Sequence, residues 1–268
     1  MSNINKYQQG QFCWAELCTS HWAKAKTFYT GVFQWGHDDQ PIAEDAYYTM
    51  FNKQGDNIAA MYQMPKEQLA QGAASHWLAY IAVDDIDACA QKVKALGGQL
   101  IVGPHQVMNA GKMLLLQDPS GSVVALWQAI EHPGCKRQNE FNVPYWHELA
   151  TRNTVSCRDF YCQLLGWQYE IKPMEGIDYT LFLLAGKPVA GMIEMDEQWP
   201  EDTPPHWMVY FAVLHCDSTT EQVKQLGGEV CVVPTDIPDV GRFSVLTDPQ
   251  GAVFSILESA FDDVSCDQ

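Results

Sequence analysis

Two glutamates sit where side chains could do chemistry. Glu16 follows Trp14 by two positions in Phe12-Cys13-Trp14-Ala15-Glu16-Leu17, and Glu148 follows Trp146 by two in Tyr145-Trp146-His147-Glu148-Leu149. Residues two apart on a β-strand share a face, so each carboxylate should lie beside an indole. A glutamate half-buried against tryptophan loses the hydration that favours its charged form, which raises its pKa toward the working range of a base. Glu16 and Glu148 are therefore the candidate catalytic residues, moving a proton or orienting a polar ligand. The competing reading makes each one scaffold, satisfied by a neighbouring donor such as Lys112 or Arg242.

Other candidates come in pairs as well. His76-Trp77 recurs as His206-Trp207, Tyr80 as Tyr210, and Gly111-Lys112 as Gly241-Arg242. The histidines either hydrogen-bond a ligand at a cleft mouth or hold backbone at the start of a strand. The tyrosines either send hydroxyls into a cleft or pack in the core. The two cations either hold a carboxylate ligand or stand as solvated surface charge. Trp14, Trp146, Trp77 and Trp207 offer stacking area. His21, His37, His105, His132, His147 and His215 show no metal-binding spacing and are assigned no role. The chain contains no Gly-x-Gly-x-x-Gly, phosphate loop or Gly-x-Ser-x-Gly, so nucleotide cofactors and serine hydrolase chemistry are unsupported.

The elements that must position these residues are written twice. Lys26-Thr27-Phe28-Tyr29 is answered by Arg158-Asp159-Phe160-Tyr161, and Tyr48-Thr49-Met50-Phe51 by Tyr179-Thr180-Leu181-Phe182. Leu96-Gly97-Gly98 returns as Leu226-Gly227-Gly228, and Asp118-Pro119-Ser120-Gly121 as Asp248-Pro249-Gln250-Gly251. A repeat across nearly the whole chain marks a duplicated domain. Within each copy an alternating aromatic strand (11–18) feeds an amphipathic helix over 22–33, capped by Ser20, with Ala25, Phe28, Tyr29, Val32 and Phe33 on its apolar face. Gly36 to Asp45 reads as loop. Strands follow at 47–51 and 57–63, then at 77–83. A helix capped by Asp84 or Asp85 ends at Gly97-Gly98, and strands near 99–103, 112–117 and 122–128 complete the copy. The expected boundaries are a first domain at 8–130, a linker at 131–141, a second domain at 142–260 and an acidic, frayed tail from Phe261.

Composition narrows the function classes. The 268 residues carry 33 Asp plus Glu against 16 Lys plus Arg, a formal net charge of −17. Phosphate binding needs a basic footprint, so nucleic acid and anionic membranes are excluded as partners. No apolar run reaches the roughly 18 residues of a membrane span. The N-terminus is polar and lacks a signal core. Nine cysteines without framework spacing read as reduced core residues of a cytoplasmic protein.

The strand-helix-strand-strand-strand unit, paired and then duplicated, resembles the vicinal oxygen chelate superfamily, the group of glyoxalase I, bleomycin-resistance proteins and extradiol dioxygenases. The resemblance is carried by Phe28-Tyr29 and Phe160-Tyr161, by the Gly-Gly pairs, and by the two Asp-Pro-x-Gly turns. It implies an α+β fold of two tandem glyoxalase-like domains, each of two βαβββ units curling a sheet around a cleft, with helices outside. Members that are enzymes hold a divalent metal in that cleft through His, Gln or Glu. Those ligand positions fall on Trp14, about Ala60, about Leu78 and Ala125, and on Trp146, about Gly191, about Met208 and Ser255. Only Ser255 has even a weak oxygen, whereas a divalent cation needs three or four O or N ligands. The resemblance thus implies a small-molecule-binding protein with no metal residue and no cofactor. The alternative is a metal-dependent glyoxalase, dioxygenase or hydroxylase with non-standard ligands drawn from Glu16, His76, Glu148 and His206. Duplication supplies internally the pairing that single-domain relatives reach by dimerising, so a monomer or a homodimer is expected.

Overall fold

A computed structural model of the protein describes residues 4–43, 46–174 and 176–259. The acidic tail expected from Phe261 lies outside the described residues. The first half runs β1 (Phe12–Thr19), α1 (Trp22–Phe33), β2 (Gly36–Ala43), β3 (Ala46–Lys53), β4 (Asp56–Gln63), α2 (Lys66–Ala70), β5 (His76–Ala82), α3 (Ile86–Ala95), β6 (Gln99–Val107), β7 (Gly111–Gln117) and β8 (Val123–Ala129). The second half runs β9 (Pro144–Thr151), α4 (Thr154–Leu165), β10 (Gln168–Met174), β11 (Ile177–Leu184), β12 (Lys187–Glu194), β13 (His206–Ala212), α5 (Cys216–Gln225), β14 (Glu229–Ile237), β15 (Gly241–Thr247) and β16 (Val253–Ser259). Each half forms one eight-stranded sheet, ordered β2-β3-β4-β1-β5-β8-β7-β6 and β10-β11-β12-β9-β13-β16-β15-β14. Two βαβββ units meet in each sheet through antiparallel pairing of their first strands, β1 with β5 and β9 with β13. No helix among the described residues is long and apolar enough to cross a membrane.

Two local expectations are corrected. The segment read as loop from Gly36 is the strand β2, paired along its length with β3. It is an edge strand with solvent on both sides, so His37-Asp38-Asp39-Gln40-Pro41 carries no apolar alternation to betray it. Ser20 does not cap α1. His21 occupies the cap position, and the N–H of Trp22 is satisfied instead by Gln63 Oε1 of β4 at 2.9 Å. Asp85 does cap α3, its Oδ1 accepting from the Ala88 N–H at 2.9 Å.

The two halves lie back to back: the central strands β5 and β13 meet directly, and α1 with α5 and α3 with α4 pack beside that seam. The apolar face of α1 (Ala25, Phe28, Tyr29, Val32 and Phe33, all buried) packs between its own sheet and the second, Tyr29 lying 5.2 Å from Trp77 of β5. Phe33 lies 5.0 Å from Phe211 of β13 and 6.1 Å from Phe254 of β16, ring centre to ring centre. Reciprocal latches join the halves. Trp77 donates to the Tyr29 hydroxyl, which donates to Asp248 Oδ2 at 3.0 Å. Trp207 donates to the Tyr161 hydroxyl, which donates to Asp118 Oδ2 at 3.0 Å. The Asp of each Asp-Pro-x-Gly turn thus closes its own turn through backbone N–H groups and receives the helix tyrosine of the other half. Gly98 serves the same packing, because a β-carbon there would press on the Phe160 ring of α4 at 2.8 Å.

Candidate functional site

Strand register decides which side chains face away from the helix layer. Glu16 pairs with Ala60 and Leu78, Trp14 with Tyr80, and Tyr80 with Ala125. Directly paired residues project from the same face of a sheet. Trp14, Glu16, Leu78, Tyr80 and Ala125 therefore share the outer, concave face of the first sheet. The second sheet repeats this with Trp146, Glu148, Gly191, Met208, Tyr210 and Ser255.

On each concave face the glutamate is gripped by two tyrosines. The Tyr80 hydroxyl donates to Glu16 Oε2 at 2.5 Å, and Tyr48 brings a second hydroxyl to the same carboxylate and to the Trp14 indole. In the second half Tyr210 donates to Glu148 Oε1 at 2.9 Å and Tyr179 to Oε2 at 2.8 Å, while the Trp146 indole donates to the Tyr179 hydroxyl at 3.1 Å. Burial pushes both glutamates above the usual carboxylate range, and the hydroxyl donors pull part of the way back. The same burial, with the carboxylate alongside, holds Tyr48, Tyr80, Tyr179 and Tyr210 well above the usual phenol value. They therefore remain donors at neutral pH. A carboxylate offers about four lone-pair sites, so two hydroxyls leave acceptor capacity for a ligand.

The remaining candidates divide between the two faces. Trp77 and Trp207 are corrected: they point inward to the latches, because they alternate with Leu78 and Met208 along their strands. Lys112 and Arg242 are also corrected. Lys112 pairs with Asp87 of α3 at 3.1 Å, and Arg242 holds Asp217 of α5 in two bonds of 2.7 and 3.0 Å as well as Asp236 at 2.9 Å. These cations pin the second helices to their sheets, and the glutamates find their donors in tyrosines instead. His76 and His206 stand at strand starts near the surface, their Nδ1 atoms 3.0 and 2.9 Å from the carbonyls of Ala74 and Pro204. Tyr48 and Tyr179 had gone unassigned. Their signal was in the repeat itself, a tyrosine two residues before Met50 and Leu181, which face Ala60 and Gly191. Two surface hollows, about 440 Å³ beside Lys6, Tyr7 and Asp84 and about 250 Å³ between Trp22, Tyr47 and Gln63, lie outside both concave faces.

The profile of the Glyoxalase/Bleomycin resistance protein/Dioxygenase superfamily matches residues 11–126 and again 146–256. The chain belongs to this superfamily. A Mycobacterium tuberculosis (strain CDC 1551 / Oshkosh) relative, CFP32, whose name assigns it provisionally to the glyoxylases, is 38% identical over 262 residues, covering 97% of this chain and 99% of its own. The anthracycline biosynthesis protein DnrV of Streptomyces peucetius is 32% identical over 267 residues, 95% of each chain. Among solved structures, the Mn(II)-bound glyoxalase from Novosphingobium aromaticivorans superposes with a TM-score of 0.63 at 16% identity, covering 94% of this chain and 82% of its own. The 2,3-dioxygenase LapB from Pseudomonas sp. KL28 gives 0.65 at 12% identity, covering 97% and 94%. These two share the superfamily fold with the present chain.

Gly191 has a steric duty in this arrangement. A β-carbon there would collide with the Tyr179 hydroxyl, which lies directly over the glycine on its way to Glu148. Gly191→Ala should therefore swing Tyr179 off the carboxylate. The expected cost is about 1–3 kcal/mol for a donor lost from a buried charge, read as a lower denaturant midpoint together with a changed Tyr179 environment in the near-ultraviolet dichroism.

Proposed function

We propose that this chain is a binding protein for a small, partly aromatic molecule that carries a hydroxyl or amine donor, and that it works without a divalent metal at the superfamily's usual positions. The observation that carries this reading is Glu148, held between Tyr179 and Tyr210 beside Trp146 on an outward-facing surface. The indole supplies stacking area, and the carboxylate supplies an acceptor strengthened by partial desolvation. The similarity to DnrV, named for anthracycline biosynthesis, favours a planar polycyclic phenol as the ligand class.

The superfamily's metal does not fit the donor set. Trp14, Ala60, Leu78 and Ala125 offer no ligand atom, and Trp146, Gly191, Met208 and Ser255 offer one hydroxyl. Both glutamates already accept from tyrosines, and the described residues contain no group of three His, Cys, Asp or Glu able to hold an ion. The non-standard set of Glu16, His76, Glu148 and His206 spreads over two separate sheets. A cytoplasmic setting, with reduced cysteines, completes the reading.

The test is metal analysis of extensively dialysed protein alongside a thermal-shift titration with 1,4-dihydroxyanthraquinone. Metal-free protein stabilised by the probe is the expected result. Stoichiometric Zn, Mn, Fe or Ni surviving dialysis would overturn it. Glu148→Gln should weaken the probe at least tenfold, since a hydrogen bond to a charged acceptor contributes about 1.5–3 kcal/mol. Its stability at neutral pH should stay level or rise, because a partly buried charge is removed.

A further inference from the structure

The two concave faces share a motif but differ in access, and the difference lies in the segment that joins the halves. After β8 the chain crosses the first face. The His132 carbonyl accepts from the Trp127 indole at 2.9 Å, and the His132 ring sits edge-on against Trp14 at 4.6 Å. The segment then wedges between the splayed starts of β1 and β4: the Cys135 N–H donates to the Cys13 carbonyl at 2.7 Å and the Lys136 N–H to the Asn57 carbonyl at 2.9 Å. Tyr7 clamps it from outside, its hydroxyl donating to the Cys135 carbonyl at 2.6 Å. As a result Trp14 and Glu16 are only 5% and 7% exposed, and Trp14, Leu78, Tyr80 and Trp127 are continuous with the main core.

The second face differs in three respects. Trp146 and Glu148 are half-buried, whereas their counterparts Trp14 and Glu16 are buried. Met208, Tyr210 and Leu257 form a small apolar cluster of their own with Trp146 and Phe243, separate from the main core. The floor position filled by Ala125 in the first half is Ser255 in the second. Its hydroxyl is fully buried, with the Tyr210 hydroxyl alongside but no partner at good hydrogen-bond geometry. A buried hydroxyl without a partner costs free energy, so such a group is retained where something completes it.

We infer that the second cleft alone is the ligand site, that it takes one molecule per chain, and that the linker has turned the first cleft into core. This rests on the binding reading above and sharpens it. The ligand presents two polar atoms from one edge of a flat apolar body: a donor to Glu148, and a second oxygen to the Ser255 hydroxyl. The body stacks on Trp146. An aromatic system with hydroxyl and carbonyl oxygens at peri positions of fused rings has that shape, and a plain hydrocarbon does not.

Calorimetric titration of the full chain with 1,4-dihydroxyanthraquinone tests this. One site per chain is expected. Ser255→Ala, which installs the side chain that the first half already tolerates at Ala125, should weaken the probe about 5- to 20-fold and leave folding intact by circular dichroism. Trp146→Leu should weaken it further. Anthraquinone without hydroxyls should bind at least tenfold more weakly than the probe. Two sites per chain, or a single site unmoved by Ser255→Ala and Trp146→Leu, would overturn the assignment to the second cleft while leaving the binding reading intact. No site at all would overturn both.

Discussion

Cutting Phe33 back to alanine should destabilise the whole chain by about 3–5 kcal/mol, the range for removing a fully buried aromatic ring. Phe33 is 1% exposed and packs on Trp35 at 4.7 Å within its own half. Tyr29 stacks on it from the same helix at 6.4 Å, and Phe211 and Phe254 meet it from the opposite half. The consequence is a matter of cooperativity as well as size. A ring shared between two sheets transmits its loss to both, so urea unfolding followed by tryptophan fluorescence and by far-ultraviolet dichroism should move as one transition to a lower midpoint. If the two signals separated, with one half melting early and the other unmoved, the shared helix layer would not be the unit that holds the halves together.

That shared layer marks how far the sequence could be read. The apolar face of the first helix, its repeat in the second half, the Gly-Gly ends and the Asp-Pro-x-Gly turns all follow from spacing, because period-3.6 and period-2 patterns record which side faces a core. They do not record whose core it is. Tyr29 meets Phe51 and Trp77 of its own sheet, while Phe28, Phe33 and Tyr29 also reach Phe254, Phe211 and Asp248 of the other. The same ambiguity explains Trp77 and Trp207. A tryptophan beside a cleft residue looks like cleft lining until strand alternation sends it to the other side. The polar edge strand β2 was invisible for the opposite reason, since a strand with water on both faces needs no apolar alternation.

The site was legible in part. Trp14 with Glu16 and Trp146 with Glu148 share faces as the two-residue spacing requires, and Tyr80 and Tyr210 reach the carboxylates. The donors were mistaken, because charge pairing with Lys112 or Arg242 is the simplest way to satisfy a glutamate on paper. Those cations alternate with cleft residues on their strands and meet Asp87 and Asp217 on the helix side instead. A tyrosine suits the cleft better: it donates without bringing a charge that would itself need solvation. Nor does spacing show that a linker lies across one cleft, because the contacts of residues 132–136 with β1 and β4 are long-range and local pattern is silent about them.

His147 carries the second large effect. Its ring stacks on Phe12 with 3.9 Å between centres and 5° between planes, is 5% exposed, and has a buried Nε2 with no partner. Burial pushes its pKa down to about 3 from the ordinary 6.5. The fold therefore keeps the ring neutral, whereas the unfolded chain takes up a proton below pH 6.5. Stability from this residue is fully present above that pH and drains away as the pH falls toward 3. Near pH 5 the loss should be about 2 kcal/mol, at 1.36 kcal/mol per pH unit. Glu16 and Glu148 act in the opposite sense, because a carboxyl held above its usual range binds protons in the fold that the unfolded chain has released. The wild-type acid limb therefore mixes both trends, and comparison with His147→Leu at each pH isolates the histidine. Urea midpoints at pH 7.5 should nearly coincide or favour the leucine variant, which removes an unpartnered nitrogen. At pH 5 the variant should be more stable by about 2 kcal/mol. Parallel curves across that interval would mean that His147 charges freely in the fold, and that the seam between the halves admits water.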